Sequence, residues 1–300
     1  MKKKTYLFTL MAMALTLGSC SDNENGIGGE TSKYITVSTS IGNMTRVATD
    51  EKGGQTFEEG DEISVYAWTG DATVAPETRE RVVNNAINKL TNGSWVSTPQ
   101  MLWKNNRDKH YFIGVYPISA ISDLSAGEYT FDVNKQTESD LLVAVNKDGL
   151  SYNVDAQQTV PLTFTHVMAK LAVNLTYKNQ WGGIPTVEKV VVGNAAKEAT
   201  INYLTKVVTP STTAKEDFSL PEITENTKYV SVIIPQEEVT QLTIVIGGKN
   251  FVYDNGTPFK LESGKITTVN LEVGRDEIKL RDVKITNWED GRTFSGEALN

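Results

Sequence analysis

The sequence of 300 residues is poor in the residue types that enzymes most often use for chemistry. It contains 1 cysteine and 2 histidines. A single thiol cannot close a disulfide within the chain, and His110 and His166, with no cysteine beside them, do not form a familiar zinc site. No Gly-x-Ser-x-Gly elbow occurs, and adjacent carboxylates such as Glu237 and Glu238 do not face each other across a cleft. The sequence therefore predicts no enzyme, no metal site and no cofactor.

Clustered positive charge and long hydrophobic runs are also missing. The chain has 29 Lys and Arg against 37 Asp and Glu, for a formal net charge of −8, and its basic residues form no stripe. Because nucleic-acid phosphates require clustered Lys and Arg, we expect no nucleic-acid partner. The apolar run at residues 6–17 is shorter than the ~20 residues that a membrane-spanning helix needs. Nothing in this composition predicts a transmembrane span.

The first 20 residues have the pattern of an export signal. Three lysines at residues 2–4 precede the apolar run, and two small residues precede Cys20. The stretch LGSC at residues 17–20 resembles the bacterial lipobox, whose cysteine sulfur receives a diacylglycerol. We interpret residues 1–19 as a lipoprotein signal peptide and Cys20 as a lipid anchor in the outer membrane. The alternative is an ordinary signal peptide with an incidental cysteine.

The segment that follows Cys20 is acidic and rich in glycine, so residues 20–32 predict a flexible tether. Beyond it, apolar residues alternate with the period of two that is typical of β-strands. Ile35, Val37, Thr39 and Ile41 are the inward positions of the first predicted strand. Gly247 and Gly248 separate two strand patterns and predict a hairpin with a tight turn. Residues 77–90 fit either a strand or a helix.

Many short strands separated by turn residues predict an all-β protein built of β-sandwiches. The residues after the tether exceed one small sandwich, so two tandem domains are expected, at residues 33–168 and 169–300. The 5 tryptophans of the chain have two interpretations. They could form a platform for sugar binding, but aromatic residues of sandwiches more often anchor the core. These residues are Trp68, Trp95, Trp103, Trp181 and Trp288.

Several stretches taken in order resemble the fimbrillin family, which comprises pilin-like lipoproteins of Gram-negative anaerobes. They cover most of the chain after the tether. They are TRVAT at 45–49 with FEEGDEISVYA at 57–67, Trp103 with YFIGVYP at 111–117, DLLVA at 140–144 with VPLTFTHVMAKL at 160–171, and ITNWEDG at 285–291. The resemblance implies two consecutive β-sandwiches with transthyretin-like topology.

The resemblance also implies a route of assembly. In pilus-forming members a trypsin-like, Arg-specific protease cuts after an arginine beyond the first strand, and the matching bond here joins Arg46 to Val47. Removal of the first strand opens a groove, which the C-terminal strand of another subunit fills. Ile278, Leu280, Val283 and Ile285 are the candidate donor residues, and their offset across Arg281 and Asp282 predicts a bulge or a switch of sheet face.

The leading hypothesis is therefore a fimbrial (pilus) subunit or adhesin, exported as a lipoprotein precursor and assembled with other fimbrial subunits at the cell surface, where it could meet a host or glycan ligand. The alternative is a surface glycan-binding lipoprotein that does not polymerise. His166, Lys170 and Trp288 are expected to be structural, the first two at the junction of the domains. Stalk, tip and anchor roles all stay open.

Overall fold

A computed structural model describes residues 33–42, 56–152 and 159–288. The predicted lipidation site Cys20, the predicted cleavage pair Arg46 and Val47, the signal peptide and the tether lie outside these residues. Within the described ranges, no helix is long and apolar enough to cross a membrane.

The described chain is almost entirely β-structure, as the strand periodicity predicts. The strands of the first half are β1 Thr36–Ile41, β2 Glu62–Thr69, β3 Arg81–Thr91, β4 Ser94–Thr98, β5 His110–Tyr116, β6 Gly127–Thr130, β7 Leu142–Leu150 and β8 Thr159–His166. Those of the second half are β9 Ala169–Tyr177, β10 Val187–Ala196, β11 Glu198–Asn202, β12 Val207–Pro210, β13 Lys215–Ser219, β14 Glu222–Thr224, β15 Lys228–Ile233, β16 Gln236–Ile246, β17 Lys249–Leu261, β18 Lys265–Val273 and β19 Ile278–Asn287. A four-residue α-helix, α1 Gln136–Ser139, and 3₁₀ turns at Thr78–Glu80 and Asn179–Trp181 complete the structure.

The first half forms one seven-stranded sheet in the order β1-β8-β7-β5-β2-β3-β4. β1 runs parallel to β8, and the other pairs are antiparallel. The sheet curls until its far edge meets the residues before β1. There the Ile35 amide donates to the Met101 carbonyl at 3.0 Å, and the Trp103 amide donates to the Lys33 carbonyl at 3.2 Å. The residues just before β1 are therefore bonded to the segment after β4, whereas β1 itself is a terminal strand of the sheet beside β8.

The central strand β2 is buried on both faces. Ile63 and Val65 point into the curl of the sheet, whereas Tyr66 and Trp68 contact a second core on the opposite face. Residues 63–68 are all buried, and for this reason they are apolar on both faces apart from Ser64. Residues 77–90, which fit two patterns in the sequence, contain one 3₁₀ turn followed by β3.

The second half forms a four-stranded sheet, β13-β10-β16-β17, and a five-stranded sheet, β14-β15-β9-β18-β19. Their apolar faces share one core, which includes Val190 and Ile244 from the first sheet and Val173 and Val269 from the second. The predicted hairpin joins β16 to β17, where Ile246 pairs with Lys249. Both turn glycines have positive φ, at 57° and 72°, a conformation that costs glycine little.

The two halves share a sheet as well as a core. β6 from the first half pairs with β11 in the three-stranded sheet β12-β11-β6. The Gln136 side chain of α1 accepts the Val232 amide of β15 at 2.7 Å and donates to Ser231 at 3.0 Å. Only Val167 and Met168 separate β8 from β9, and both are fully buried. The boundary between residues 168 and 169 remains a prediction.

Candidate strand-exchange site

The first strand fills the curl of its sheet with alternate side chains. Ile35 is 1% exposed and Val37 is 6% exposed, and the partly buried Ile41 packs against the same core. The intervening side chains lie on the other face of the strand, where Thr36 and Ser40 contact the hydroxyls of Thr159 and Thr163 at 3.2 Å. The apolar positions predicted from the sequence therefore line the interior.

Backbone pairing with β8 fixes the position of this strand. The register runs without a shift from Thr36 opposite Thr159 to Ile41 opposite Phe164. The Gly42 amide then donates to the Phe164 carbonyl at 2.8 Å, and Gly42 has φ 74°. Because glycine adopts positive φ at little cost, the chain can turn away from the sheet at this point.

Removal of β1 would uncover a groove with an apolar floor and walls. Val160, Leu162 and Phe164 of β8 form one side, and Met101 and Trp103 lie in the same core cluster. All five of these side chains are buried with β1 in place. We use the name β1 groove for the surface formed by these five residues together with Trp95. Exposing such a surface is unfavourable at roughly 25 cal/mol per Å² of apolar area.

One polar contact interrupts the apolar row. The indole nitrogen of Trp95 donates to the Thr39 hydroxyl at 3.0 Å. The pair is partly buried, and Trp95 packs against the edge of the Phe57 ring with centroids 5.3 Å apart. Phe57 also contacts Tyr116 and Phe164 at 5.4 and 5.1 Å. This aromatic cluster fixes the orientation of the indole toward β1.

The candidate donor strand β19 lies at an edge of its sheet. Among the described strands it pairs only with β18, and the register shifts so that Asn270 faces Asp282 and Leu271 faces Leu280. Arg281 is thus the extra residue of a bulge, at the place where the spacing of the apolar residues predicts an irregularity. Ile278, Leu280 and Val283 pack partly on the core, whereas Ile285 is 42% exposed. The half of β19 after the bulge is the more exposed half.

Charged side chains cover the outer surface of β19. Lys279 pairs with Glu277 at 3.1 Å and Arg281 with Glu272 at 2.6 Å. The hydrogen bond from Arg281 lowers the pKa of Glu272. Charges on an edge strand oppose unwanted pairing with other sheets, because a partner strand would have to desolvate them. The edge of this sheet at β19 therefore lacks a second strand among those described, and its charged side chains oppose pairing with other sheets.

The end of β19 packs on the end of β8. The Trp288 indole, in a residue that is 5% exposed, stacks on the His166 imidazole with centroids 4.1 Å apart and an interplanar angle of 6°. The Lys170 ammonium lies 4.4 Å from the centroid of the same indole, and burial lowers the pKa of this lysine. His166 in turn contacts Asp140 at 2.7 Å. The strand that lines the β1 groove and the candidate donor strand therefore meet at His166.

Similarity to known proteins is consistent with this architecture. A family model described as fimbrillin-like matches residues 45–288, which is most of the chain. The chain belongs to the fimbrillin-like family. The match begins after β1 and ends at Trp288.

Three proteins similar to this fimbrillin-like chain share 17–24% of its residues. A Bacteroides uniformis protein assigned as fimbrium subunit Fim1C is 24% identical over 97% of both chains. A crystal structure of a B. uniformis protein assigned to cell adhesion has a TM-score of 0.63 at 19% identity, covering 86% of this chain and 100% of the other. A similar Bacteroides ovatus structure has a TM-score of 0.61 at 17% identity, covering 85% and 98%. At these identities the structural matches establish the fold.

The tryptophans of this fimbrillin-like chain do not form an exposed platform. Trp68, Trp103 and Trp288 are 2%, 9% and 5% exposed, and Trp95 and Trp181 are partly buried. Trp181 donates its indole N–H to the Val273 carbonyl at 3.0 Å. The core interpretation is confirmed for Trp68, Trp103 and Trp288, and the sugar platform suggested as the alternative is wrong for these three.

The two histidines make structural contacts within the described chain. His110 is fully buried, accepts the Lys104 amide at 3.0 Å, and has its pKa lowered by burial. Among the described residues, no group of three or more His, Cys, Asp and Glu could hold a metal ion. Phe57 and Asp140 also lie beside the candidate site, although no motif marks either residue individually. Both belong to the family-like stretches, so their position there was the available signal.

Proposed function

We propose that this protein is a fimbrial subunit or adhesin, exported to the cell surface as a lipoprotein precursor and assembled by exchange of β1 for a strand of another subunit. Membership of the fimbrillin-like family supports the coarse assignment. The proposal of strand exchange is supported mainly by the position of β1. Its sheet is ordered so that β1 is a terminal strand, joined to β2 through a long connection, yet its inward side chains complete the core.

An edge strand of this kind can be replaced without rearranging the sheet. The sheet neighbour β8 would keep its pairing with β7, and an incoming strand would restore both the backbone hydrogen bonds and the apolar contacts. Register would be set by alternate side chains, because a slip of one residue turns every side chain to the other face. Cutting the Arg46–Val47 bond is the step that would release β1.

The candidate donor lies at the opposite end of the chain. β19 has one sheet neighbour and its apolar residues are only partly buried, so its removal uncovers less core than removal of an interior strand would. Its charged outer surface would keep the uncut precursor from pairing at this edge. The lipid on Cys20 would hold the precursor at the outer membrane until the cut.

Limited proteolysis tests this proposal. The chain starting at residue 21 is incubated with trace Arg-specific protease, followed by intact-mass measurement and size exclusion. We expect one early cut after Arg46 and then heat-resistant oligomers. Arg46→Lys, which keeps the charge but removes the protease site, should stay monomeric.

The other outcomes separate the remaining roles. A cut at Arg46 that gives only monomers would favour a tip subunit that accepts a strand but does not polymerise alone. Resistance at Arg46, with cuts elsewhere, would contradict excision. It would favour an anchor that keeps its lipid, or the glycan-binding lipoprotein; the burial of most tryptophans weighs against the latter.

A further inference from the structure

The Trp95 N–H places a chemical requirement on whatever occupies the β1 groove. In the present structure this N–H is satisfied by Thr39, the one polar side chain among the four inward positions of β1. When another strand covers this site, the donor, held by its contact with Phe57, again faces the side chain at the third inward position. A buried donor without a partner is unfavourable by more than a typical hydrogen bond contributes. The incoming strand therefore needs an acceptor at its third inward position.

We propose that Trp95 sets the register in which the C-terminal strand of a second copy enters the β1 groove; this rests on the proposed strand exchange. In this register, Val283, Ile285 and Asn287 take the places of residues 35, 37 and 39. The Asn287 amide oxygen accepts the Trp95 N–H.

The side chains of the donated segment fit the first three of the four inward positions. Val283 and Ile285 replace an isoleucine and a valine, so the total apolar volume is unchanged and both remain β-branched. Lys284 and Thr286 fall on the outer face, where β1 carries the polar residues 36 and 38. Asn287 is exposed at the end of β19 in the monomer, where its side chain accepts only from Lys265 among the described contacts.

A second register has the same apolar pattern but places a charged residue beside the Trp95 N–H. It places Ile278 and Leu280 at the first two positions and Asp282 beneath Trp95. The Asp282 carboxyl is ionised at neutral pH, so the groove would receive a charge. Burying an ionised carboxylate beside one N–H costs more than burying a neutral amide. This register would also detach the half of β19 that packs on the core.

The bulge at Arg281 marks where the strand divides in the favoured register. Residues before it keep their pairing with β18, including the Arg281–Glu272 ion pair at 2.6 Å. Residues after it leave for the neighbouring molecule, and Trp288 leaves His166 with them. The donated segment is therefore the five residues 283–287.

Disulfide trapping between two chains distinguishes the registers. The acceptor chain carries Thr159→Cys, because Thr36 lies directly opposite this residue with the two hydroxyls 3.2 Å apart. The donor chain carries Lys284→Cys for the favoured register, and Lys279→Cys is the matched control for the second. Both chains start at residue 21 and so lack the native cysteine. After cutting by Arg-specific protease, we expect disulfide-linked dimers at least ~10-fold more abundant with Lys284→Cys.

Three results would overturn the proposed register. Preferential trapping by Lys279→Cys would establish the second register, and oligomers without either disulfide would exclude both while leaving strand exchange intact. If the parent chain forms no oligomers after the cut, the proposed function itself fails and the register fails with it.

A double-mutant cycle tests the acceptor separately. Asn287→Leu should speed exchange of labelled subunits between oligomers roughly tenfold when Trp95 is present, because the indole N–H loses its partner. In a Trp95→Phe background, which keeps an aromatic ring against Phe57, the same change should have little effect. Equal effects in both backgrounds would show that Trp95 does not select the incoming residue.

Discussion

At the scale of single residues, close packing explains why the strand beside the groove carries a glycine. A Cβ on Gly114 of β5 would lie 2.7 Å from Cζ of Phe164 and 3.1 Å from Cδ1 of Leu162. Both of these side chains line the β1 groove, so the glycine lets β8 side chains cross over β5. A larger residue here would push against the surface that receives β1.

We expect Gly114→Ala to lower the free energy of unfolding by about 1–3 kcal/mol, since overpacked cores are strained by this amount. Urea denaturation of the uncut chain measures the loss. Phe164→Leu in the Gly114→Ala background should cost less than Phe164→Leu alone, because it removes the closest contact. Equal costs in the two backgrounds would show that the clash with Phe164 is not the cause.

A buried hydroxyl organises the loop that covers the other face of the same sheet. Tyr66 is fully buried, its hydroxyl accepts the Ile121 amide at 2.9 Å and donates to the Ser119 carbonyl, and the Arg81 guanidinium lies 5.3 Å from its ring centroid. The same buried environment raises the pKa of this tyrosine. The hydroxyl thus links β2 to the segment after β5.

Tyr66→Phe should lower the free energy of unfolding by about 1–3 kcal/mol, because the Ile121 amide would be buried without an acceptor. Thermal denaturation followed by near-ultraviolet circular dichroism measures this change. If Tyr66→Phe leaves the free energy of unfolding unchanged, a water molecule must supply the acceptor for the Ile121 amide in place of the hydroxyl.

At the scale of elements, β19 depends on its last contact. The strand has one neighbour, and the stack of Trp288 on His166 closes its end against the rest of the molecule. The Trp288 amide also donates to the Gly264 carbonyl at 3.0 Å. Since the strand itself is mostly exposed, this buried residue holds a large share of its apolar contact.

Trp288→Ala should therefore open β19 locally before the protein unfolds as a whole. Amide hydrogen exchange of residues 278–287 should become roughly 10- to 100-fold faster, and exchange in β1 should not change. Trp288→Phe, which can still stack on His166, should show a smaller increase. Unchanged exchange in β19 after Trp288→Ala would mean that pairing with β18 alone holds the strand.

At the scale of the whole molecule, buried tyrosines link stability to alkaline pH. Burial raises the pKa of Tyr129 from 10.0 to about 12, and its hydroxyl donates to the Ser139 carbonyl at 2.8 Å. Burial also raises the pKa values of Tyr177, Tyr203 and Tyr229. The folded state holds these protons more tightly than the unfolded chain does. Their contribution to stability is complete below pH 10 and is lost as pH rises toward the folded values.

We expect the free energy of unfolding to fall above about pH 10, where tyrosines of the unfolded chain begin to ionise. Urea denaturation at a series of alkaline pH values measures the slope. Tyr129→Phe should make the slope shallower. A slope that Tyr129→Phe does not alter would place the alkaline sensitivity elsewhere.

The sequence alone determined the strands, the β-hairpin and the family. Alternation fixed the inward set Ile35, Val37, Thr39 and Ile41, because a strand that packs on one face must repeat every two residues. Two adjacent glycines fixed the turn between β16 and β17, because both positions require positive φ. The offset of apolar residues in β19 indicated its bulge. These are local properties, so local sequence suffices.

Only the tertiary structure decided which elements meet. The pattern of residues 77–90 fits both a helix and a strand, because β3 mixes buried and exposed side chains. Pairing with β2 in the sheet makes this segment a strand. The shared sheet of β6 and β11, the stack of Trp288 on His166, and the Trp95–Thr39 hydrogen bond join residues 56 to 122 positions apart. Such contacts depend on how the sheets curl and pack, which no short stretch of sequence specifies. The need for a hydrogen-bond acceptor beside the Trp95 N–H therefore comes from the fold.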